Sequence, residues 1–153
     1  MDIDTTDKNF VLEDFVPYLL NRIVNRLNSE LKDALNAMKL TVTHWRVIAV
    51  LTARSPMTVS ELVTLTVTEQ SSLSRSLMQL ETKGLVERVT NAEDARQVEV
   101  HLTPAGQAAF AKLWPLACGI ADHALDGLSR EEHDAFVETL HRILDNIRRS
   151  PEG

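Results

Sequence analysis

The sequence has 153 residues, which is enough for one domain with a buried core and little more. Hydrophobic residues make up 44% of the chain and aromatic residues 5%, and it contains only 5 Gly and 5 Pro, a composition that favours helices over a β-sandwich or barrel. The net charge of −6 argues against a broadly basic surface for nucleic acid, but the acidic excess lies at the two ends of the chain and leaves local DNA contact open.

Membrane insertion and secretion are not expected. No apolar run approaches the roughly 20 residues that cross a bilayer, and the acidic start does not resemble a secretory signal. The single cysteine, Cys118, excludes a disulfide framework, so we expect a cytoplasmic protein. Its neighbours are apolar, which predicts a buried, inert thiol; a redox switch is the alternative.

The first predicted helix runs from about Phe10 to Met38. Apolar residues recur through it at steps of three and four: Leu12, Phe15, Val16, Leu19, Leu20, Ile23, Val24, Leu27, Leu31, Leu35 and Met38. A wide apolar face on so long a helix predicts packing against a second chain. A face buried wholly in its own core is the alternative.

Two short helices are predicted next. The first runs from about Thr43 to Arg54, with Trp45, Ile48 and Leu51 facing inward, and ends at Ser55-Pro56.

A capping box at Thr58–Glu61 begins the second, and Thr66–Glu69 forms another possible capping box a few residues later. A short helix, a tight turn and a further helix is the spacing of a helix-turn-helix.

The helix from about Glu69 to Lys83 is predicted to bury one stripe and to offer a polar face. The stripe consists of Leu73, Leu77 and Leu80. The residues left mainly exposed are Gln70, Ser71, Ser72, Ser74, Arg75 and Ser76. Free N–H groups at the helix start suit phosphate, and these side chains can donate to phosphates or base edges. The face, with Thr68 just before it, is therefore a candidate DNA contact; an ordinary solvated face is the alternative.

A β-hairpin follows the glycine stop at Gly84. Its predicted strands are Leu85 to Val89 and Gln97 to Leu102, and residues 90–96 join them. An Arg at such a tip can enter a minor groove, which makes Arg96 a candidate DNA contact, and Asp94 can hold it by a charge-assisted hydrogen bond. An exposed ion pair of little energy is the alternative.

Two C-terminal helices complete the chain. Thr103-Pro104 is an N-cap followed by proline at the first helical position, and this helix runs to about Leu125 with a bend at Trp114-Pro115. A capping box at Ser129–Glu132 starts the last, amphipathic helix.

These residues resemble the MarR family of bacterial winged helix-turn-helix regulators. The resemblance is strongest in three blocks, which are residues 43–47, residues 71–75 with 80–88, and residues 94–96 with 102–106. It implies a homodimer whose two recognition helices enter successive major grooves of a pseudo-palindromic operator, with the wings in the flanking minor grooves. By family pattern, Ser71, Ser72, Arg75 and Arg96 contact DNA, and Asp94 supports them.

The resemblance also implies a small anionic or phenolic effector, bound between the dimerisation helices and the DNA-binding lobe. An Arg beside aromatic rings suits an aromatic carboxylate. The candidate lining residues are Tyr18, Arg22, Thr43, His44, Trp45 and Met57. For Trp45 and Arg22, a core position and a solvated charge are the alternatives.

The sequence thus predicts a mainly α fold with a small β-hairpin wing, in a single domain over residues 1–153. Residues 41–103 form the winged helix-turn-helix lobe, and residues 10–38 and 104–149 form the dimerisation helices. The five histidines are scattered and no catalytic constellation is visible, so we expect no metal, no cofactor and no enzyme activity. The expected function is that of a DNA-binding repressor; a dimeric interaction protein that keeps the fold without specific DNA binding is the alternative.

Overall fold

The computed structural model describes residues 11–90 and 97–149. Six α-helices and a three-stranded sheet follow a 3-10 turn at Leu12–Asp14. Their bounds are α1 Val16–Ala37, α2 Val42–Ala53, β1 Met57–Thr58, α3 Val59–Thr66, α4 Gln70–Thr82, β2 Val86–Thr90, β3 Val98–Leu102, α5 Pro104–Ala124 and α6 Arg130–Arg149. The predicted fold class, mainly helical with a small β wing, is confirmed.

The start of the first helix differs from the prediction. Phe10 lies outside the described residues, and a separate 3-10 turn precedes α1 instead of a continuous helix from residue 10. Pro17 stands in the first turn of α1, where its missing N–H costs nothing and its fixed φ favours the helix.

The antiparallel sheet contains one strand that the sequence did not predict. Its order is β1-β3-β2, and in β1 the residue Met57 pairs with Val100 of β3. The hairpin register pairs Val86 with Leu102 and Thr90 with Val98. The sheet therefore joins the start of α3 to the base of the hairpin.

Three predicted caps are present. Thr58 and Glu61 form the capping box of α3, and Ser129 and Glu132 exchange the same pair of bonds at α6. The hydroxyl of Thr103 accepts from the Gly106 N–H at the start of α5, which continues without a break through Pro115.

The core lies where α2, α3 and α4 pack on one another and on the sheet, with α1 and α5 beside them. Its largest fully buried side chains include Leu35, Ile48, Leu51, Leu62 and Leu113. Of the eleven apolar residues predicted for the face of the first helix, only Leu31 and Leu35 are buried. The reading of that face as wholly intramolecular core is therefore wrong.

Candidate nucleic-acid interface

The α4 helix presents its polar residues outward because a leucine stripe fixes the opposite face. Leu73, Leu77 and Leu80 are each 1% exposed or less, as the sequence predicted. The exposed residues at its N-terminal end are Gln70, Ser71, Ser72, Ser74 and Arg75. Ser76, predicted to be exposed, is half-buried because it lies beside the leucine stripe. The arrangement gives the helix one apolar and one hydrogen-bonding side.

The turn before α4 is held by hydrogen bonds to one carbonyl. The Thr66 carbonyl accepts from the Arg46 Nη1 at 3.4 Å and from the Thr68 hydroxyl at 3.1 Å. Val67 adopts the left-handed region at φ 51°, where a β-branched residue is an outlier. The side chain of Thr68, a predicted DNA contact, is therefore half-buried and engaged in the turn.

The predicted capping box at Thr66–Glu69 is wrong. Thr66 is buried inside α3, where its hydroxyl donates to the Leu62 carbonyl at 2.6 Å, and Glu69 becomes the N-cap of α4. Glu69 makes no side-chain cap bond within the described part of the chain. The first N–H groups of α4 therefore stay available to an anion such as a DNA phosphate.

The Arg75 guanidinium lies one helical turn beyond Ser71 on the exposed side. Its Nε donates to the Ser71 carbonyl at 3.5 Å, and among the described residues it forms no salt bridge. The two Nη groups can therefore donate to a phosphate or to a guanine edge.

The hairpin is tied to the end of α4 by an ion pair that the sequence did not indicate. The Arg88 Nε donates to the Glu81 carboxylate at 3.0 Å. This bond lowers the pKa of Glu81 and raises that of Arg88. The two predicted tip residues, Asp94 and Arg96, lie outside the described residues.

His44, which the sequence assigned to the effector cleft, is buried and caps the start of α2. His44 is 2% exposed. Its imidazole Nδ1 accepts from the Thr41 backbone N–H at 3.2 Å, and its backbone N–H donates to the Thr41 hydroxyl. Burial lowers the pKa of His44; the Gln79 side chain opposes this shift and the charge of Lys83 adds to it. The neutral imidazole therefore completes a capping box with Thr41. The sequence signal for this box was a hydrogen-bond acceptor three residues after Thr41.

The six predicted effector residues fall into separate contacts. Arg22 lies over the Tyr18 ring in α1, with 5.5 Å from its guanidinium carbon to the ring centroid. Met57 is buried in β1, and Thr43 is half-buried in α2. Trp45, predicted to face the core, is half-buried because its ring lies between α2 and α5.

Trp45 begins a stack of three aromatic rings that joins α2 to α5. Its ring lies 5.6 Å from Phe110, which lies 5.3 Å from Trp114, centroid to centroid. Trp114 is 50% exposed. The stack therefore runs from the half-buried Trp45 of α2 to the exposed ring of Trp114 on α5.

Two surface cavities lie elsewhere, and none of the six predicted effector residues lines either of them. One, of about 380 Å³, lies between α1 and the start of α2, and the other, of about 410 Å³, lies at the turn between α5 and α6.

Within the described residues, no group of three or more His, Cys, Asp or Glu is placed to hold a metal ion. Cys118, expected to be buried, is half-buried, because the part of α5 that carries it is only partly covered.

No helix in residues 11–90 and 97–149 is both long and apolar enough to cross a bilayer.

The chain resembles known proteins in both sequence and fold. Residues 39–97 match the model of the MarR family. A MarR-family transcriptional regulator from Silicibacter pomeroyi is 37% identical, with 93% of this chain and 96% of that one covered and a TM-score of 0.85. The chain belongs to the MarR family. It is thus a DNA-binding transcriptional regulator with a winged helix-turn-helix, and the expectation of a regulator instead of an enzyme is confirmed.

Two further relatives share less sequence identity with this chain. The HTH-type transcriptional repressor IacR of Pseudomonas putida is 25% identical over 94% of this chain and 84% of its own length. BpsR of Bordetella bronchiseptica, whose DNA binding is regulated by 6-hydroxynicotinic acid, is 25% identical, with 89% of this chain and 97% of that one covered and a TM-score of 0.77.

Proposed function

We propose that this MarR-family chain is a homodimeric repressor that binds a pseudo-palindromic operator and is released by a small aromatic anion. The observation that carries the proposal is the exposed hydrogen-bonding face of α4, fixed from behind by its buried leucines. The named repressor IacR and the ligand-regulated BpsR support repression and release. Such a function belongs in the cytoplasm, where the chromosome lies.

The proposed DNA contacts divide between two grooves. Around the start of α4, Thr68, Gln70, Ser71, Ser72, Ser74 and Arg75 serve the major groove. The wing residue Arg96 serves the minor groove and Asp94 supports it. Recognition helices of two protomers then read half-sites roughly 34–36 Å apart.

Two apolar surfaces support the homodimer. In α1 and the turn before it, Phe15, Val16, Leu19, Ile23 and Val24 are each 38–52% exposed. The α6 helix makes no extensive contact with another described element. Its apolar residues Leu144 and Ile147 are therefore 50% and 66% exposed. Within the proposed dimerisation helices, residues 10–38 and 104–149, the described residues therefore offer apolar area that a second copy can bury.

DNA binding is tested by fluorescence anisotropy against operator DNA selected from a random library, at two salt concentrations. Wild-type protein should bind with a steep salt dependence. Replacing Arg75→Ala should weaken binding about tenfold or more and leave the melting temperature unchanged, since Arg75 is exposed.

The control is Leu73→Ala, which removes a fully buried side chain and should destabilise the fold by about 2–5 kcal/mol. Unchanged affinity in Arg75→Ala, and likewise in Arg96→Ala, would remove these residues from the interface. If no sequence is enriched and binding does not respond to salt, a dimeric interaction protein becomes the better reading.

The proposed effector cleft is one that a second protomer completes, with Tyr18, Arg22, Thr43, His44, Trp45 and Met57 as its lining. Within one protomer, Arg22 contacts the Tyr18 ring and Trp45 stacks on Phe110. The positive charge of the cleft comes from Arg22. Replacing Arg22→Gln should raise the concentration of 6-hydroxynicotinate or benzoate that releases the operator.

Arg26→Gln is the matched control, because Arg26 lies one turn further along α1 and is paired with Glu30 at 3.0 Å. Equal responses of the two variants would contradict the assignment of Arg22. A panel of aromatic acids that changes neither operator affinity nor melting temperature would overturn the effector itself.

A further inference from the structure

Met78 is an exposed apolar residue on a helix whose other large apolar residues are buried. Its side chain is 57% exposed, whereas Leu73, Leu77 and Leu80 are 1% exposed or less. A methionine on the solvent side of α4 adds nothing to the core. A single exposed apolar residue is common on a protein surface, so the position of Met78 on the helix decides whether it has a partner.

Met78 lies on the same outward stripe as the proposed DNA contacts. It follows Ser71 by seven residues and Arg75 by three, and at 3.6 residues per turn these three side chains share one face. At 1.5 Å per residue, Met78 lies about 10 Å along the helix from Ser71. In a recognition helix that lies along a major groove, Met78 therefore follows the N-terminal residues that contact base edges, on the same side of the helix.

The major groove offers one apolar group on its base edges, the C5-methyl of thymine. The unbranched, polarizable side chain of methionine adapts to such a contact. We propose that Met78 contacts a thymine methyl group in each operator half-site and so distinguishes thymine from bases without that group. This inference rests on the proposed operator binding.

A second exposed apolar residue of the lobe serves as the comparison. Val67 is 83% exposed, but it stands in the turn before α4 and not on the helical stripe. Comparing substitutions of Met78 and Val67 therefore distinguishes two cases. In one, the contact is specific to the recognition face of α4; in the other, any exposed apolar group near the DNA can make it.

The test uses full-length protein and operators recovered by selection from random DNA. Each thymine of the half-sites is replaced in turn by uracil, which removes the methyl group and leaves base pairing intact. Affinities are measured by anisotropy for wild-type protein and for Met78→Ala, Met78→Leu and Val67→Ala. Circular dichroism melting confirms that each variant is folded.

At one half-site position, uracil should weaken wild-type binding about fourfold, the effect of one buried methyl-sized group. Met78→Ala should bind the thymine and uracil operators equally at that position. Met78→Leu and Val67→Ala should keep the wild-type preference, since the first retains an apolar side chain and the second leaves the stripe intact.

The inference is overturned if wild-type protein ignores uracil at every position, if Met78→Ala keeps the full preference, or if Val67→Ala abolishes it. These outcomes require a protein that binds its selected operator. Failure to enrich any sequence is a different result, which overturns the proposed function and this contact with it.

Discussion

His44 couples the start of α2 to pH, because its neutral ring completes a capping box with Thr41. Protonation of Nδ1 removes the lone pair that accepts from the Thr41 N–H. Burial lowers the pKa of His44 from its ordinary value of 6.5. The stabilisation is therefore present above about pH 6.5 and is lost as the pH falls toward the lower pKa of the folded protein.

The variant His44→Gln keeps an acceptor at the third helical position and does not titrate. Melting temperatures at about pH 7.5 and about pH 5.5 should show a larger acid loss for wild-type protein than for this variant. Identical losses would show that His44 does not contribute to the pH dependence.

At the residue scale, the sequence predicted the helix faces better than the individual polar roles. The stripe of Leu73, Leu77 and Leu80 follows from spacing along one helix, and the structure buries all three. The burial of His44 depends on α2 packing against α4, which are distant in sequence. A pattern within one stretch of sequence cannot predict a contact between two helices that are distant in the chain.

At the element scale, the start of α5 lies close against the hairpin because residue 106 has no side chain. A Cβ on Gly106 would meet the Leu85 carbonyl oxygen and would lie 2.5 Å from the Leu102 Cδ1. Gly106→Ala should therefore destabilise the protein by about 1–3 kcal/mol through overpacking, measured by urea denaturation.

Gly119 provides the matched control in the same helix. Within the described part of the protomer, nothing lies within 4 Å of a Cβ built there, so Gly119→Ala should stabilise the protein by about 0.4–1 kcal/mol. Equal effects of the two alanines would mean that the contact of α5 with the hairpin is not a tight one.

Elements defined by local sequence were predicted well, and elements defined by a distant partner were not. The capping boxes at Thr58 and Ser129 each involve residues three apart. The strand β1 is only two residues long and exists because β3 pairs with it. Thr66 fits a capping motif, but the left-handed turn at Val67 places the helix boundary elsewhere.

At the scale of the whole molecule, the apolar residues of α6 predict that the protomer is not the functional unit. Replacing Leu144→Arg should give a monomer, because burying an unpaired charge in the proposed dimer interface is unfavourable in free energy. Light scattering after gel filtration should then change from about twice 17.1 kDa to 17.1 kDa.

Val89→Arg is the control for this change. Val89 is 44% exposed but lies in β2, away from the terminal helices, so this variant should remain a dimer. A Leu144→Arg protein that still runs at the dimer mass would place the dimer interface outside α6.

The short strand β1 has a mechanical consequence for regulation. Because it pairs Met57 and Thr58, which precede α3, with the returning strand of the hairpin, the helix-turn-helix and the base of the wing cannot slide past one another. The Glu81–Arg88 ion pair links the same parts from the other side. An effector that tilts the lobe would then lift the helix and the wing together. Under the proposed regulation, we therefore expect the recognition helix and the base of the wing to leave the DNA together.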